Sequence, residues 1–189
     1  LSCAIALTLP VVQTKIARYL TQVINRDYHT SIQIDQASFT LFGDVKLKKV
    51  LILDSHKDTL IYANRIHASF QDFKKLIDKS DLIFNELRLD GLYMQLKIYK
   101  GDTLSNLDEF IAAFDDGKPS TNSFLFTANN AYLSNSRFLY LDLNFKDPRD
   151  AEFTQINAEL SQFQILGSNV TTYIDRLSFL DYRGLYVKN

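Results

Sequence analysis

The sequence predicts a mainly β fold: an elongated, curved, antiparallel-rich sheet that forms a groove, with an N-terminal helix and short covering helices. Three observations predict it. Apolar residues recur at every second position in most segments after residue 30, which is the period of a strand with one buried face. The chain has 14 Phe and 10 Tyr but only 6 Gly and 3 Pro, and aromatic residues favour pleated surfaces. Two stretches resemble each other at an offset of 90 residues, which indicates a repeated strand unit.

The first 28 residues predict an apolar segment followed by an amphipathic helix. Residues 1–9 (LSCAIALTL) carry no charge but are too few to span a membrane alone, since about 20 are needed. We interpret them as the end of a membrane anchor; the alternative is the start of a buried helix. Pro10 suits the first turn of a helix over residues 10–28, which fits a bilayer surface or the end of a β-core equally well. The helically spaced apolar residues are Val12, Ile16, Leu20, Val23 and Ile24.

Residues 29–118 are predicted to form a first β-groove unit. Its first hairpin joins strand-like segments 44–53 and 59–70 through the polar turn Asp54–Asp58. Further on, the apolar positions shift by one residue at Asp90-Gly91. Such a change of phase indicates a β-bulge, because an extra residue moves the following side chains to the other face.

Short helices are predicted to cover part of this first unit. Residues 71–80 break the alternation, and residues 107–114 have helical spacing with Ser105 or Asn106 as N-cap. The polar, Gly- and Pro-containing segment Asp116–Ser120 is predicted to be a loop.

Residues 119–189 are predicted to form a second β-groove unit that continues past the end of the chain. A strand unit cannot bury its apolar face alone, so repeated units stack into an array with a continuous core. The matched stretches are Ile66–Phe70 with Ile156–Leu160, Phe84–Leu87 with Ile174–Leu177 and, allowing three extra residues, Gly91–Tyr93 with Gly184–Tyr186.

Composition and motifs exclude several classes of protein. The net charge is −1 and no run of Lys or Arg exceeds two residues, so nothing in the sequence suits a row of nucleic-acid phosphates. The one cysteine, Cys3, allows neither an internal disulfide nor a cysteine-based metal site. Asp54, His56 and Asp58 lie at alternate positions, as metal ligands do in some sites. A turn this polar is more often solvent-exposed without a metal, and we prefer that interpretation. No catalytic motif is present, so we expect no enzyme, no metal and no cofactor.

The alternating apolar residues are the candidate wall of a groove that contacts acyl chains. The alternative is an ordinary packed core, in which case the short helices fill the groove. The candidates are Leu87, Leu89, Leu92, Met94, Leu96, Ile98, Leu139, Leu141, Leu143, Ile156, Ala158 and Leu160.

Several motifs follow one another in an order typical of one family. They are the apolar end before Pro10–Thr14, the turn and return strand Asp54–Tyr62, the segment Leu89–Leu92, Lys100–Thr103 with Leu107–Phe110, and later Asp181–Tyr186. In this order they resemble the N-terminal portion of the TamB-like proteins of diderm bacteria, a branch of the AsmA-like superfamily. The resemblance covers most of the chain, and its motifs are structural.

The resemblance implies a periplasmic protein anchored in the inner membrane by one helix, with a trough of β-sheet that is apolar inside. Such proteins are associated with phospholipid transport between membranes and with outer-membrane protein assembly beside an Omp85-type barrel. Their barrel-binding C-terminal region is not part of these residues. We therefore expect phospholipid and the inner membrane as partners, and no nucleic acid. The alternative is a protein–protein interaction scaffold that pairs through exposed strand edges without binding lipid.

Overall fold

A computed structural model describes residues 9–40, 44–70, 82–114, 125–166 and 169–188. The predictions for residues 1–8, 71–80 and 116–120 lie outside the described residues. Helices α1 and α2 span Pro10–Tyr28 and Asn106–Ala112. The strands are β1 Ser31–Phe39, β2 Asp44–Leu53, β3 Thr59–Phe70, β4 Leu82–Ile98, β5 Leu125–Asp142, β6 Arg149–Leu166, β7 Asn169–Asp181 and β8 Tyr186–Lys188.

All eight strands form one open sheet in chain order, β1 to β8, which confirms the predicted mainly β class. Every neighbouring pair is antiparallel except β4 and β5, which are parallel. A parallel pair needs a crossover, and the segment between Ile98 and Leu125, which contains α2, supplies it. The sheet thus consists of two antiparallel meanders joined by one parallel pair.

The predicted repeat is visible in the strand pairing. Ala68 of β3 pairs with Leu87 of β4, and 90 residues later Ala158 of β6 pairs with Leu177 of β7. The one-residue slip recurs as well, since it follows Ser69 in the first copy and Glu159 in the second. Both the pairing and its irregularity therefore repeat at the offset read from the sequence.

Side chains on a strand alternate between the two faces of the sheet, and this alternation is interrupted at two places across the sheet, which we call lines of phase change. On the first line, Lys49, Gly91, Asn135 and Gln155 have left-handed φ values of 50°, 62°, 49° and 51° on four strands. The register of β4 is continuous through Gly91 on both sides, so the predicted bulge there is wrong. The predicted change of phase is produced instead by the left-handed backbone, which glycine adopts readily.

The second line shows what such a change of phase does to the side chains. On it, Gln162 of β6 has a φ of 51°. Leu160 and Phe163, three residues apart, nevertheless pack on the same apolar cluster. The first line has the same signature: Asn64 and Arg65 are both exposed between buried Ala63 and half-buried Ile66. We infer that one apolar face continues across both lines.

The apolar side of α1 is not the side that packs on the sheet, contrary to the amphipathic pattern. Gln13, Ala17 and Thr21 are buried, whereas Ile16 and Leu20 are exposed. The reason is the open edge of β1, whose backbone groups need hydrogen-bond partners. Side chains of α1 supply these partners in place of a strand. Each of three joins one residue of β1 by two bonds: Gln13 to Phe39 (2.9 and 3.0 Å), Thr14 to Ala37 (3.0 and 3.1 Å) and Asn25 to Ile32 (2.7 and 2.7 Å).

Helix α2 confirms one of the two predicted caps. Ser105 forms a capping box with Asp108, in which each side chain accepts a hydrogen bond from the other's backbone. The helix lies at the end of the sheet where the β2–β3 turn projects, because Glu109 accepts a 2.7 Å bond from Ser55. Among the described helices, none is long and apolar enough to cross a bilayer.

Candidate functional site

The candidate site is one face of the sheet, which we call the apolar face and define by the cluster around Leu87 and Ala131. Ala68, Phe84, Leu87, Ala128 and Ala131 are buried there, although the described elements form a single sheet layer. In the described residues, α1 packs mainly against β1 and α2 mainly against β4. Burial on this face therefore comes from side chains of neighbouring strands and from the curvature of the sheet.

Four phenylalanines cross the apolar face near the start of β4. Phe70 and Phe84 have ring centroids 4.5 Å apart, Phe84 and Phe126 5.0 Å, and Phe126 and Phe163 5.9 Å. Such tilted and edge-to-face contacts add to the stabilisation from burial. This row is packed against itself across four strands, so this end of the face is a core.

The other end of the apolar face is less filled. Met94 pairs with Phe138, and the rings of Phe138, Phe153 and Phe179 follow at 6.4 and 5.0 Å. All four of these side chains are half-buried. In the part of the chain that the structure describes, no helix packs mainly over this part of β5 and β6, and its phenylalanines keep part of their surface exposed.

The register separates the predicted wall residues into two groups. Nine lie on the apolar face, and Leu87 and Ala158 are the two that are buried. Leu139 and Leu141 lie on the opposite face, because they pair with Gln95 and Lys97 of β4. Leu143 lies after the end of β5. The nine on the apolar face are Leu87, Leu89, Leu92, Met94, Leu96, Ile98, Ile156, Ala158 and Leu160.

The residues of β5 that lie on the apolar face are Phe138 and Tyr140, which pair with Met94 and Leu96. Both sets of alternate residues are mainly apolar in this stretch, so the sequence alone did not show that Leu139 and Leu141 lie on the opposite face. Counting every second residue from Leu133, with one extra residue at Asn135, gives the residues of β5 that lie on the apolar face. Asn is the non-glycine residue that enters the left-handed region most readily, so Asn135 was the available signal.

The opposite face is charged where the apolar face is a core. Arg65 donates two bonds to Asp90 Oδ2, at 3.0 and 2.8 Å, and this pairing lowers the pKa of Asp90. Arg88 makes a bidentate pair with Glu86 at 2.6 and 2.9 Å, which raises the pKa of Arg88. The guanidinium of Arg88 also lies 4.4 Å from the ring centre of Tyr132. These pairs make this side of the sheet polar, in contrast to the apolar face.

A polar cluster lies at the β2–β3 turn, where the sequence analysis considered Asp54, His56 and Asp58 as metal ligands and preferred a solvated turn. The buried Asp54 carboxylate accepts bonds from the backbone of His56 and Asp58 at 3.0 and 2.9 Å, and from Tyr99 and Asn106 at 2.8 and 3.0 Å. Burial, followed by its bonds to the two aspartates, raises the pKa of Tyr99. The cluster fixes the turn, and no group of metal ligands occurs in the described chain.

Comparison with protein-family models and with curated proteins gives no match. The fold and the apolar face are therefore the observations from which a function can be argued. Both concern surface chemistry: one apolar side with an accessible end, and one side covered by ion pairs.

Proposed function

We propose that this chain holds the acyl chains of phospholipid on its apolar face. In this proposal it is the N-terminal part of an inner-membrane-anchored periplasmic β-groove protein of the TamB/AsmA-like type. It serves phospholipid transport between membranes, outer-membrane protein assembly, or both. The observation that carries the proposal is the half-buried apolar row that runs from Met94 on β4 across Phe138 and Phe153 to Phe179 on β7.

The dimensions of this face suit an acyl chain. Strands rise about 3.3 Å per residue, so the stretch from Phe84 to Ile98 is about 45 Å long. The hydrocarbon core of a bilayer is about 30 Å thick, so the chains of one leaflet need about 15 Å. Neighbouring strands lie about 4.8 Å apart, so the row from Met94 on β4 to Phe179 on β7 provides roughly 14 Å across the sheet.

The free energy gained by shielding apolar surface suits a protein that must bind lipid and also release it. Shielding apolar surface contributes about 25 cal/mol per Å². An apolar patch of about 300 Å², the lower end of the largest patch on a typical soluble monomer, corresponds to about 7.5 kcal/mol before the cost of ordering the chain. This gross value falls in the range of a reversible complex.

The experiment uses a phosphatidylglycerol that carries a photoactivatable group on one acyl chain. Irradiation of the 189-residue protein should label peptides from β4 and β5. Met94→Asp should reduce labelling by more than about tenfold, because a carboxylate without a polar partner costs several kcal/mol in an acyl contact.

Leu141→Asp is the matched control, since it places the same charge on the other face of the adjacent strand, beside Lys97. It should leave labelling unchanged. Met94→Gln and Leu141→Gln repeat the comparison with a smaller perturbation, and circular dichroism checks that each variant is folded. Equal losses in both positions, or no labelling of the wild type, would contradict the proposal.

A second candidate function is a scaffold that pairs through its strand edges without binding lipid. The observation that favours it is the outer edge of β7, which is only partly paired in the described chain. In the described chain, β8 pairs with β7 only at Ser178, Phe179 and Leu180, and no strand pairs with the rest of that edge.

A further inference from the structure

A trench crosses the charged face of the sheet, opposite the apolar face. Two rows of side chains run side by side from β2 to β5 and form its walls, and an open cavity of about 400 Å³ lies between them. Sites for small molecules have volumes of this order. Residues paired across the ladder form the rows: Lys46, His67, Arg88 and Tyr132 in one, and Lys48, Arg65, Asp90 and Ser134 in the other. We call this cavity the charged trench.

The floor of the charged trench is backbone. Leu47, Ile66 and Leu89 pair with one another between the two rows and line the cavity. Ile66 and Leu89 pack on the apolar cluster of the other face, so they present their main chain to the trench. A ligand in the trench therefore meets peptide groups below it and polar or charged side chains on both of its long sides.

The two arginines of the charged trench are held in place by carboxylates. Arg65 donates from Nε and Nη2 to Asp90, whose other oxygen accepts a 3.0 Å bond from Ser134. Arg88 donates from Nε and Nη2 to the two oxygens of Glu86. Each guanidinium keeps the N–H groups of Nη1, for which the described residues supply no acceptor. Donors that are already ordered lose little conformational entropy when a ligand binds.

The two lysines of the charged trench supply positive charge that no carboxylate balances. Lys46 and Lys48 are exposed on β2, and neither forms an ion pair with any residue that the structure describes. Asp44 Oδ1 lies 3.9 Å from His67 Nε2, but Asp44 does not line the trench. The walls therefore offer two uncompensated positive charges beside two fixed guanidinium groups.

We propose that the charged trench binds the phosphate of a phosphomonoester. Such a group carries about −1.5 to −2 charges at pH 7 and has three strong acceptor oxygens. The two lysines balance this charge. The Nη1 groups of Arg65 and Arg88 donate to its oxygens, because guanidinium geometry matches phosphate. A phosphodiester or a carboxylate carries a single charge and balances only one lysine. The trench lies opposite the proposed acyl-chain surface, so the inference does not rest on the proposed function.

A phosphomonoester can come from two sources, a free phosphorylated small molecule and the headgroup of phosphatidic acid. The first source is tested by titrating glycerol phosphate with the 189-residue protein and following its phosphorus NMR signal. Glycerophosphocholine, a phosphodiester, is titrated in parallel and should bind several-fold more weakly. The second source is tested by sedimentation of the protein with phosphatidylcholine vesicles that contain or lack phosphatidic acid.

Removing both lysines should abolish most of this binding. Lys46→Gln combined with Lys48→Gln should weaken the binding of glycerol phosphate by at least about tenfold, because two charge-assisted contacts are lost. Both side chains are exposed, so the fold should be retained, which circular dichroism checks. Lys100→Gln combined with Lys146→Gln is the matched control. It removes the same charge from exposed positions after β4 and β5, outside the trench, and should change the binding by less than about twofold.

The two sources give different results, and either result supports the inference. Lysine-dependent binding of glycerol phosphate without lysine-dependent sedimentation identifies a soluble ligand. Lysine-dependent sedimentation with vesicles that contain phosphatidic acid identifies the lipid headgroup. Equal losses in the two double variants, or equal binding of the phosphodiester, would overturn the inference, because net charge alone would then explain the binding. Absence of binding to both glycerol phosphate and phosphatidic acid would overturn it as well. The acyl-chain labelling experiment is independent of all these results.

Discussion

Replacing Asn106 with alanine tests how the end of the sheet is held together. The side chain is 1% exposed and lies beside β4 beyond the point where β3 stops pairing with it. Its Oδ1 accepts a 2.9 Å bond from the backbone of Lys97, and its Nδ2 donates to the carbonyl of Gln95 at 3.1 Å. The same amide group also donates to Asp54 at 3.0 Å. One asparagine thus replaces a missing strand at two backbone groups and fixes the turn.

The expected cost follows from these three bonds. An intramolecular hydrogen bond contributes about 1 kcal/mol net, and a buried donor left without a partner costs about 1–3 kcal/mol. The Lys97 N–H is the donor left without a partner, whereas Asp54 keeps its bond from Tyr99. We expect Asn106→Ala to lower the free energy of unfolding by about 2–4 kcal/mol. For a chain of this size, that corresponds to a fall in Tm of roughly 5–15 °C.

The assay is urea unfolding followed by circular dichroism, with Asn129→Ala as the matched control. Asn129 is exposed on β5, so its replacement should stay within about 0.5 kcal/mol of wild type. Asn106→Asp should destabilise the protein more at pH 7 than at low pH, because it places a second carboxylate beside Asp54. A change of less than about 0.5 kcal/mol in Asn106→Ala would refute the reasoning, since it would mean that water replaces these bonds at no cost.

Two further predictions concern the backbone and the charged face. Gly91→Ala should lower the free energy of unfolding by about 1–3 kcal/mol, because the left-handed φ of 62° is strained for alanine and its Cβ would lie 3.0 Å from that of Asn64. Gly184→Ala, which also has a positive φ but meets nothing within 4 Å, should cost less in the same urea titration. The pKa of Asp90 is lowered in the fold by its bonds from Arg65. The stabilisation from Asp90 is therefore present above its pKa in the unfolded chain, near 3.9, and is lost as the pH falls through its lower pKa in the fold. Asp90→Asn should therefore flatten the fall in stability below about pH 4, and an unchanged pH profile would argue against this pairing.

Much of the local structure could be predicted from the sequence. The helix over residues 10–28, the hairpin around Asp54–Asp58 and the cap at Ser105 depend on neighbours within a few residues, and all three are observed. The offset of 90 residues between the repeats is reproduced in the pairing of Ala68 and Ala158. The existence of an apolar face was predictable for the same reason, because alternation within one strand needs only that strand.

The position of each strand relative to its neighbours was not predictable in this way. Leu139 and Leu141 alternate as a wall should, but their partners across the ladder, Gln95 and Lys97, place them on the other face. One residue in the left-handed region, such as Asn135, inverts all the side chains that follow it on a strand. The parallel pairing of β4 with β5 likewise depends on a crossover of more than 20 residues.

The helical and extended segments can be read from the spacing of apolar residues along the chain. Which sides of these elements are buried depends on how they pack against one another. In α1, the polar side of Gln13 and Thr21 is buried in preference to the apolar side, because unpaired backbone groups on the β1 edge need partners. Backbone groups without a partner cost more than a few exposed aliphatic side chains, and this demand arises only once the edge exists.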